Sequence, residues 1–307
     1  MIKRYAAIEG IGFWAPQLPS WAIARSVLRG EGPAASAPAP RPMPPALRAS
    51  ERRAIGDTIA ISFEVAARAC EAANRDPASL ASVFASTYGD LPITHFMCET
   101  LARTPSLLSP TLFNDSTHNA AAGHWAIAMQ CQASYTALAA GRRTFAEGLL
   151  EALLQVESEG LPVLYVAYDV EARGPLAAVA RSRGSVALAF VLSPAAEQNE
   201  RLALRWEVAS DPAPSDTGPQ REHAELLAGN GMANCLPLLA ALADAGPRQL
   251  HFALGPTLSL ELAVMGALEM THECEPQGVA RSAGVCTAAV YGVTRIDAIA
   301  KTKAAEG

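Results

Sequence analysis

The sequence predicts a layered α/β protein, with helices over both faces of a largely parallel β-sheet. Three observations predict it. Strand-like apolar runs alternate with helix-periodic segments along the chain. One run, LPVLYVAY from Leu161 to Tyr168, is apolar throughout, as in a strand buried on both faces. Just before it, Phe145 to Val156 (FAEGLLEALLQV) carries apolar residues at helical spacing, and Gly160 separates the two.

Taken in order, Tyr5–Trp14 is a candidate central strand, with β-compatible Ala6, Ile8, Ile11 and Phe13, and Pro16 ends it. Trp21–Leu28 reads as a short helix. Residues 31–49 are Pro/Ala-rich, so they form a surface loop or mobile linker rather than helix or sheet; the sharper alternative is an arm against a partner subunit. Ser50 is placed to cap a helix over Arg52–Asn74, whose apolar face holds Ile55, Ile59, Phe63 and Ala66. The cap is incomplete, because Arg53 stands where a capping box needs Glu or Gln. Ala81–Ser86 is the next buried strand, Thr94–Arg103 a helix, and Leu107–Asp115 an irregular apolar segment. Asn119-Ala-Ala-Ala-Gly123 lets another backbone approach closely and opens a strand-like apolar run from Ala126. After the strand Val163–Ala167, Asp169–Ser182 is a loop. Val186–Leu192 is a strand, and Leu202–Val208 is placed to pair with it. Ser210–Gln220 is the best internal boundary. Beyond it, Glu222–Leu227, Leu236–Ala245 and Leu258–Met270 read as helices. Leu250–Leu254 and Cys286–Ile296 read as strands, and Ala298–Gly307 as a frayed tail.

The 307 residues are half hydrophobic and 18% charged, ample for a large core, with a formal net charge of −6. No basic run or basic–aromatic interleaving is present, which argues against nucleic-acid binding. Cys70, Cys98, Cys131, Cys235, Cys274 and Cys286 are scattered without a C-x-x-C, which points to reduced cytoplasmic thiols rather than a zinc site or disulfide framework. The start, MIKRYAAIEGIGFWAP, reads as a first strand and not a signal peptide, and no 18-residue apolar run predicts a transmembrane helix.

Four landmarks follow one another: Ser109-Pro110, then Asn119, Ala122 and Gly123, then Thr136-Ala137-Leu138-Ala139-Ala140-Gly141, then the apolar helix and strand. This order resembles the N-terminal half of a β-ketoacyl synthase of the thiolase superfamily, over roughly residues 5–195. Such enzymes carry Ser-Pro, N-x-x-A-G, a strand, a T-A-C-x-S-G nucleophile turn, a buried helix and a central strand. In that register Leu138 stands at the nucleophile position; an ungapped count from Asn119 lands on Arg142 instead. Leu has no nucleophilic atom, and Arg is a permanent cation. The family's two histidines belong to H-G-T-x-T and G-H-x-x-G motifs. Of His223, His251 and His272, the nearest match is His251-Phe-Ala-Leu-Gly-Pro-Thr, which does not fit.

With nucleophile and both histidines missing, the chain resembles a ketosynthase-like chain length factor, most like the short ones of bacterial aryl polyene and xanthomonadin-type pigment pathways. The resemblance implies a thiolase-like layered fold (α-β-α) with an abbreviated C-terminal half. Residues 1–208 would form a ketosynthase N-terminal-like domain, and 209–307 a shortened C-terminal thiolase-like portion. It implies a non-catalytic subunit of polyketide biosynthesis, without cofactor or metal, in a heterodimer with an active β-ketoacyl synthase. The substrate is a polyene acyl chain on an acyl carrier protein. Tunnel and interface candidates are Leu112, Phe113, His118, Asn119, Trp125 and Met129. Each has a plainer reading as core or loop packing. Leu138 either plugs the vacant pocket or is one more core leucine. His118 and His124 flank the small-residue turn, placed to bond backbone across an interface. Arg142 and Arg143 are a solvated pair, or pair with a partner's carboxylate. Two other classes stay open: an active thiolase-fold acyltransferase or condensing enzyme using an atypical nucleophile such as Cys131 or a Ser, and a homodimeric scaffold.

Overall fold

The computed structural model describes residues 4–180, 182–195, 202–210, 225–244 and 246–265. In chain order they form β1 (Arg4–Trp14), α1 (Trp21–Leu28), α2 (Ala49–Ala54), α3 (Asp57–Ala73), β2 (Ala81–Ala85), α4 (Leu91–Arg103), α5 (Pro110–Asp115), α6 (Ala120–Ala128), β3 (Tyr135–Leu138) and α7 (Thr144–Glu159). There follow β4 (Val163–Asp169), α8 (Ala177–Ala180), β5 (Val186–Pro194), β6 (Ala203–Ser210), α9 (Leu236–Asp244), β7 (Arg248–Ala253) and β8 (Leu258–Met265). The strands make one eight-stranded sheet in the order β3-β2-β4-β5-β1-β6-β8-β7.

Three layers result. All seven residues of β4 are buried. Its Val163, Tyr165 and Ala167 pack with α1, α7 and α9, while Leu164, Val166 and Tyr168 pack with α3 and α6. The run that reads as apolar throughout is therefore the shared floor of two cores. On the α3 side, contact is made backbone to backbone. A Cβ on Gly12 would lie 1.9 Å from the Val65 carbonyl oxygen, and one on Gly10 2.1 Å from that of Ala69. Only glycine lets α3 settle this closely on β1.

The sheet is not largely parallel. Among the described residues β2 pairs parallel with β3 and β4, and the other five pairings are antiparallel. Parallel neighbours need a long crossover. The segments carrying α4–α6 and α7 supply those for β2, β3 and β4. The connection from β4 to β5 holds a 3-10 turn (Gly174–Leu176) and the single-turn α8, and the chain turns back antiparallel.

Several expected elements change. Leu202–Val208 does become a strand, but β6 pairs with β1 and β8 rather than with β5. Within the expected Leu258–Met270 helix, Leu258–Met265 is strand β8: Leu260, Leu262 and Val264 alternate with the more exposed Glu261 and Ala263, a period of two. The run from Ala126 ends helix α6 rather than forming a strand, because its alanines favour helix and Ala121, Ala122 and Trp125 find α3 as a surface to bury against. Leu107–Asp115 is not irregular. Ser109 accepts a hydrogen bond from the Leu112 amide at 3.3 Å and Pro110 opens α5, so Ser-Pro is a helix start.

The expected Arg52–Asn74 helix is broken at Gly56. Arg41 causes the break to be stable. Its guanidinium donates to the carbonyls of Arg52, Ile55 and Gly56 at 3.2, 2.6 and 3.2 Å and pairs with Asp57 at 2.7 Å. Residues 31–48 thus run over the surface as a pinned strap. Ser50 does not cap: α2 starts at Ala49, and Glu51 accepts from the Arg48 amide at 2.9 Å.

β6 runs across the expected 208/209 division, and β8 and β7 extend the same sheet beyond it. Residues 211–220 of the expected boundary, the start of the Glu222–Leu227 helix, residues 266–270 of the expected Leu258–Met270 helix, the strand Cys286–Ile296 and the tail Ala298–Gly307 lie outside the described residues. Gly12→Ala is expected to lower stability by about 1–3 kcal/mol, or to prevent folding, through overpacking against α3. Chemical denaturation against the wild type measures this; an unchanged midpoint would refute the close-contact account.

Candidate functional site

Helix α7 is the buried helix whose first turn faces the question of a nucleophile. Leu138 does not open it. Leu138 is the last residue of edge strand β3, half-buried and packed toward the α7-side core. Ala139–Arg143 intervene, and the helix begins at Thr144. The Thr144 hydroxyl is buried at this turn, donating to the Gly141 carbonyl at 2.7 Å and accepting from the Ala140 amide at 2.9 Å. Its proton is engaged with a carbonyl, which is no base, and the hydroxyl braces the turn before the helix. Arg142 is exposed, and its carbonyl accepts from the Asn234 side chain at 2.6 Å; Arg143 lies 3.6 Å from Glu147. The turn into α7 therefore carries two guanidinium groups.

The described thiols are elsewhere. Burial pushes Cys70 up to about 12 and raises Cys235 as well, so both stay protonated core residues. Cys131 follows α6 in a turn, rather than the centre of a strand, and is half-buried. Its thiol donates to the Leu80 carbonyl at 3.4 Å. Cys98 is exposed on α4. His251 stands on β7 across from Glu261, at 3.4 Å, while His223 and His272 lie outside the described residues.

The interface candidates separate into two groups. Leu112, Phe113, His118 and Asn119 cluster on α5 and the turn into α6. Phe113 is 65% exposed and Leu112 half-buried. His118 is half-buried with Nε2 lacking a hydrogen-bond partner, and Asn119 is exposed ahead of α6. Trp125 instead points inward, fully buried and edge-on to Phe63 at 5.1 Å, and Met129 packs on the same α3-side core. The surface around the first group is apolar. Seven of the fourteen large apolar side chains exposed among the described residues fall between Tyr88 and Tyr135, including Leu107 at 70% and Ile127 at 79%. Apart from Tyr88, in the turn before α4, they sit on α4, α5, α6 and β3 and the turns joining them, elements that pack on one another. Beside this surface, β3 has a strand partner on one side only.

A second feature escaped sequence reasoning. Asp169 closes β4 fully buried, and its Oδ1 accepts from the Ser86 hydroxyl at 2.8 Å and from the amides of Thr87 and Tyr88 at 2.9 and 3.3 Å. Asn230 ties the neighbouring loops, donating to the carbonyls of Arg183 and Gly184 at 3.1 and 3.0 Å. Oδ2 of Asp169 and Oγ1 of Thr87 have no hydrogen-bond partner. Both crowd Gly231, whose Cβ position lies 2.1 and 3.0 Å from them. The available signal was an acidic residue ending a strand with no polar face. Among the described residues no group of three or more His, Cys, Asp or Glu is placed to hold a metal ion.

The sheet order, the two covering layers and the buried helix before a central strand define the thiolase-like fold of ketosynthases. Residues 29–246 match the family described as Beta-ketoacyl synthase, N-terminal domain, and the chain belongs to that family. No curated protein matches the chain. Among solved structures, it is similar to the ketosynthase (ApeO) in complex with its chain length factor (ApeC) from Xenorhabdus doucetiae, with a TM-score of 0.63 and 19% identity, covering 84% of this chain and 98% of that one. It is similar to the ishigamide ketosynthase/chain length factor, with a TM-score of 0.58 and 15% identity over 85% and 99% of the two chains. A complex of a type II polyketide synthase acyl-carrier protein with its ketosynthase (AntDE:AntF) gives a TM-score of 0.65 at 11% identity over 86% and 100%.

Burial pushes the Asp169 carboxyl up to about 6, against the hydrogen bonds it accepts. The folded state thus holds this proton more tightly than the unfolded chain. The stability it contributes is complete below about pH 4 and is lost as pH rises through about 6. Asp169→Asn is expected to remove this loss, since its Oδ1 keeps the three donors and its amide can give a hydrogen to Thr87. Melting temperatures of both proteins from pH 4 to pH 8 measure it. Parallel curves would show that Asp169 does not carry the effect.

Proposed function

We propose that this chain is a non-catalytic chain length factor that pairs with an active β-ketoacyl synthase and helps set the length of a polyene acyl chain. The observation that carries the reading is the turn into α7, where Gly141–Thr144 present two arginines and a hydroxyl engaged by that turn. A subunit of this family without an acyl acceptor serves by shape. The apolar surface from α4 to β3 supports the pairing, and the likeness to complexes of a ketosynthase with a chain length factor agrees with it.

In this reading Leu112, Phe113, His118 and Asn119 face the partner at the α5–α6 turn. Phe113 enters the partner's tunnel as an end wall, and Trp125 and Met129 back the turn from this subunit's own core. Leu138 caps the α7-side core beside the edge strand. Extension stops when further methylenes clash with the wall, an overpacking cost of about 1–3 kcal/mol. The substrate arrives on an acyl carrier protein, docked mainly on the partner. Residues 209–307 act as a shortened C-terminal portion, and the protein works in the cytoplasm, where its scattered thiols stay reduced. No helix among the described residues is long and apolar enough to cross a membrane.

Co-expression with the ketosynthase tests this. The two chains are expected to co-purify, and an acyl-thioester or cerulenin-like probe to label the ketosynthase only. Phe113→Ala is expected to lengthen the products. Failure to co-purify, or a covalent adduct on this chain, would overturn the proposal; the adduct would favour an acyltransferase with an atypical nucleophile.

A further inference from the structure

Helix α5 is held in an unusual way. It has six residues, too few to be stable alone. Its large apolar side chains face out, Phe113 exposed and Leu112 half-buried, and its one buried residue is the acid Asp115. Asp115 Oδ1 lies 2.8 Å from His124 Nε2 on α6. A carboxylate only accepts, so Nε2 carries the hydrogen, which fixes the ring's orientation. The Asp115 side chain is 5% exposed and that of His124 32%, so the bond sits at the inner edge of the apolar surface. A buried carboxylate stripped of its donor is costly, which makes this bond the anchor of the helix.

From this we infer that His124 is a positioning residue: acting through Asp115, it fixes α5 and so sets where Phe113 stands at the partner interface. A short helix anchored by apolar packing slides with little penalty. One anchored by a directed bond to a buried acid has a single seating, because only that geometry satisfies the carboxylate. The position of Phe113 along the tunnel is then set by the His124–Asp115 distance as well as by its own bulk. This inference rests on the chain length factor reading for its consequence, but its structural half does not.

The test measures both halves in the full-length chain. Hydrogen exchange follows the α5 amides, including those of Phe113 and Ser116, which donate to Ser109 and Leu112. Product length is read in the complex with the ketosynthase. His124→Ala is expected to speed exchange in α5 about tenfold or more while the exchange of α3 and α7 stays unchanged. It should also broaden the product lengths. His124→Gln, which returns an N–H donor, should restore both. Asp115→Asn, which keeps an acceptor, should be milder than His124→Ala and serves if that variant fails to fold. Unchanged α5 exchange in His124→Ala would overturn the anchoring. Faster exchange with unaltered product length would overturn the positioning role. A wild-type chain that never pairs with the ketosynthase would sink the proposed function instead, leaving the exchange result to judge the anchor.

Discussion

The central strands have no face toward water, and the rest of the structure answers to that constraint. Every residue of β4 is buried, as is all of β5 except Pro194. Such strands need a helical layer on each side, and the layers must approach closely to leave no gap. Gly10 and Gly12 permit this under α3, and Gly148 permits it in α7, where a Cβ would fall 2.7 Å from that of Ala85. With both faces of β4 and β5 sealed, neither of those strands offers a face to another molecule.

Polar groups then do local work that apolar packing does not. Arg41 ends α2 and seats the start of α3, Asp169 draws the turn after β2 onto the end of β4, and Asp115 ties α5 to α6 through His124. In each case a charged side chain satisfies several backbone groups or one directed partner in a confined space. Leaving any of them unpaired would cost more than the bond contributes. These contacts therefore select a single arrangement of loops over many compact alternatives.

Much of the fold was legible along the chain. β1, α1, α4, α7, β4, β5 and α9 stand within a few residues of their expected bounds, since each carries a clear period and a punctuating Gly, Pro or cap. The misreadings share a cause. The runs at Ala126 and Leu258 are short and apolar, and short apolar runs suit helix and strand alike until a neighbour offers them a face. The parallel sense of the sheet was misjudged because the alternation of elements says nothing about which strands become neighbours. For the site, the residue types around Leu138 could be read along the chain. That α7 opens at Thr144 could not, because the length of the turn after Leu138 is set by how β3 meets the helix.

By itself, then, the sequence determined the family likeness and the layered class. These are matters of residue identity and local period, which a linear chain carries in full. Tertiary structure alone decided that Trp125 turns inward while Phe113 turns out, that Asp169 gathers three donors from the turn after β2, 81 to 83 residues away, and that Asp115 meets His124. Burial and hydrogen-bond partnership are properties of position in three dimensions, and no spacing along the chain encodes them.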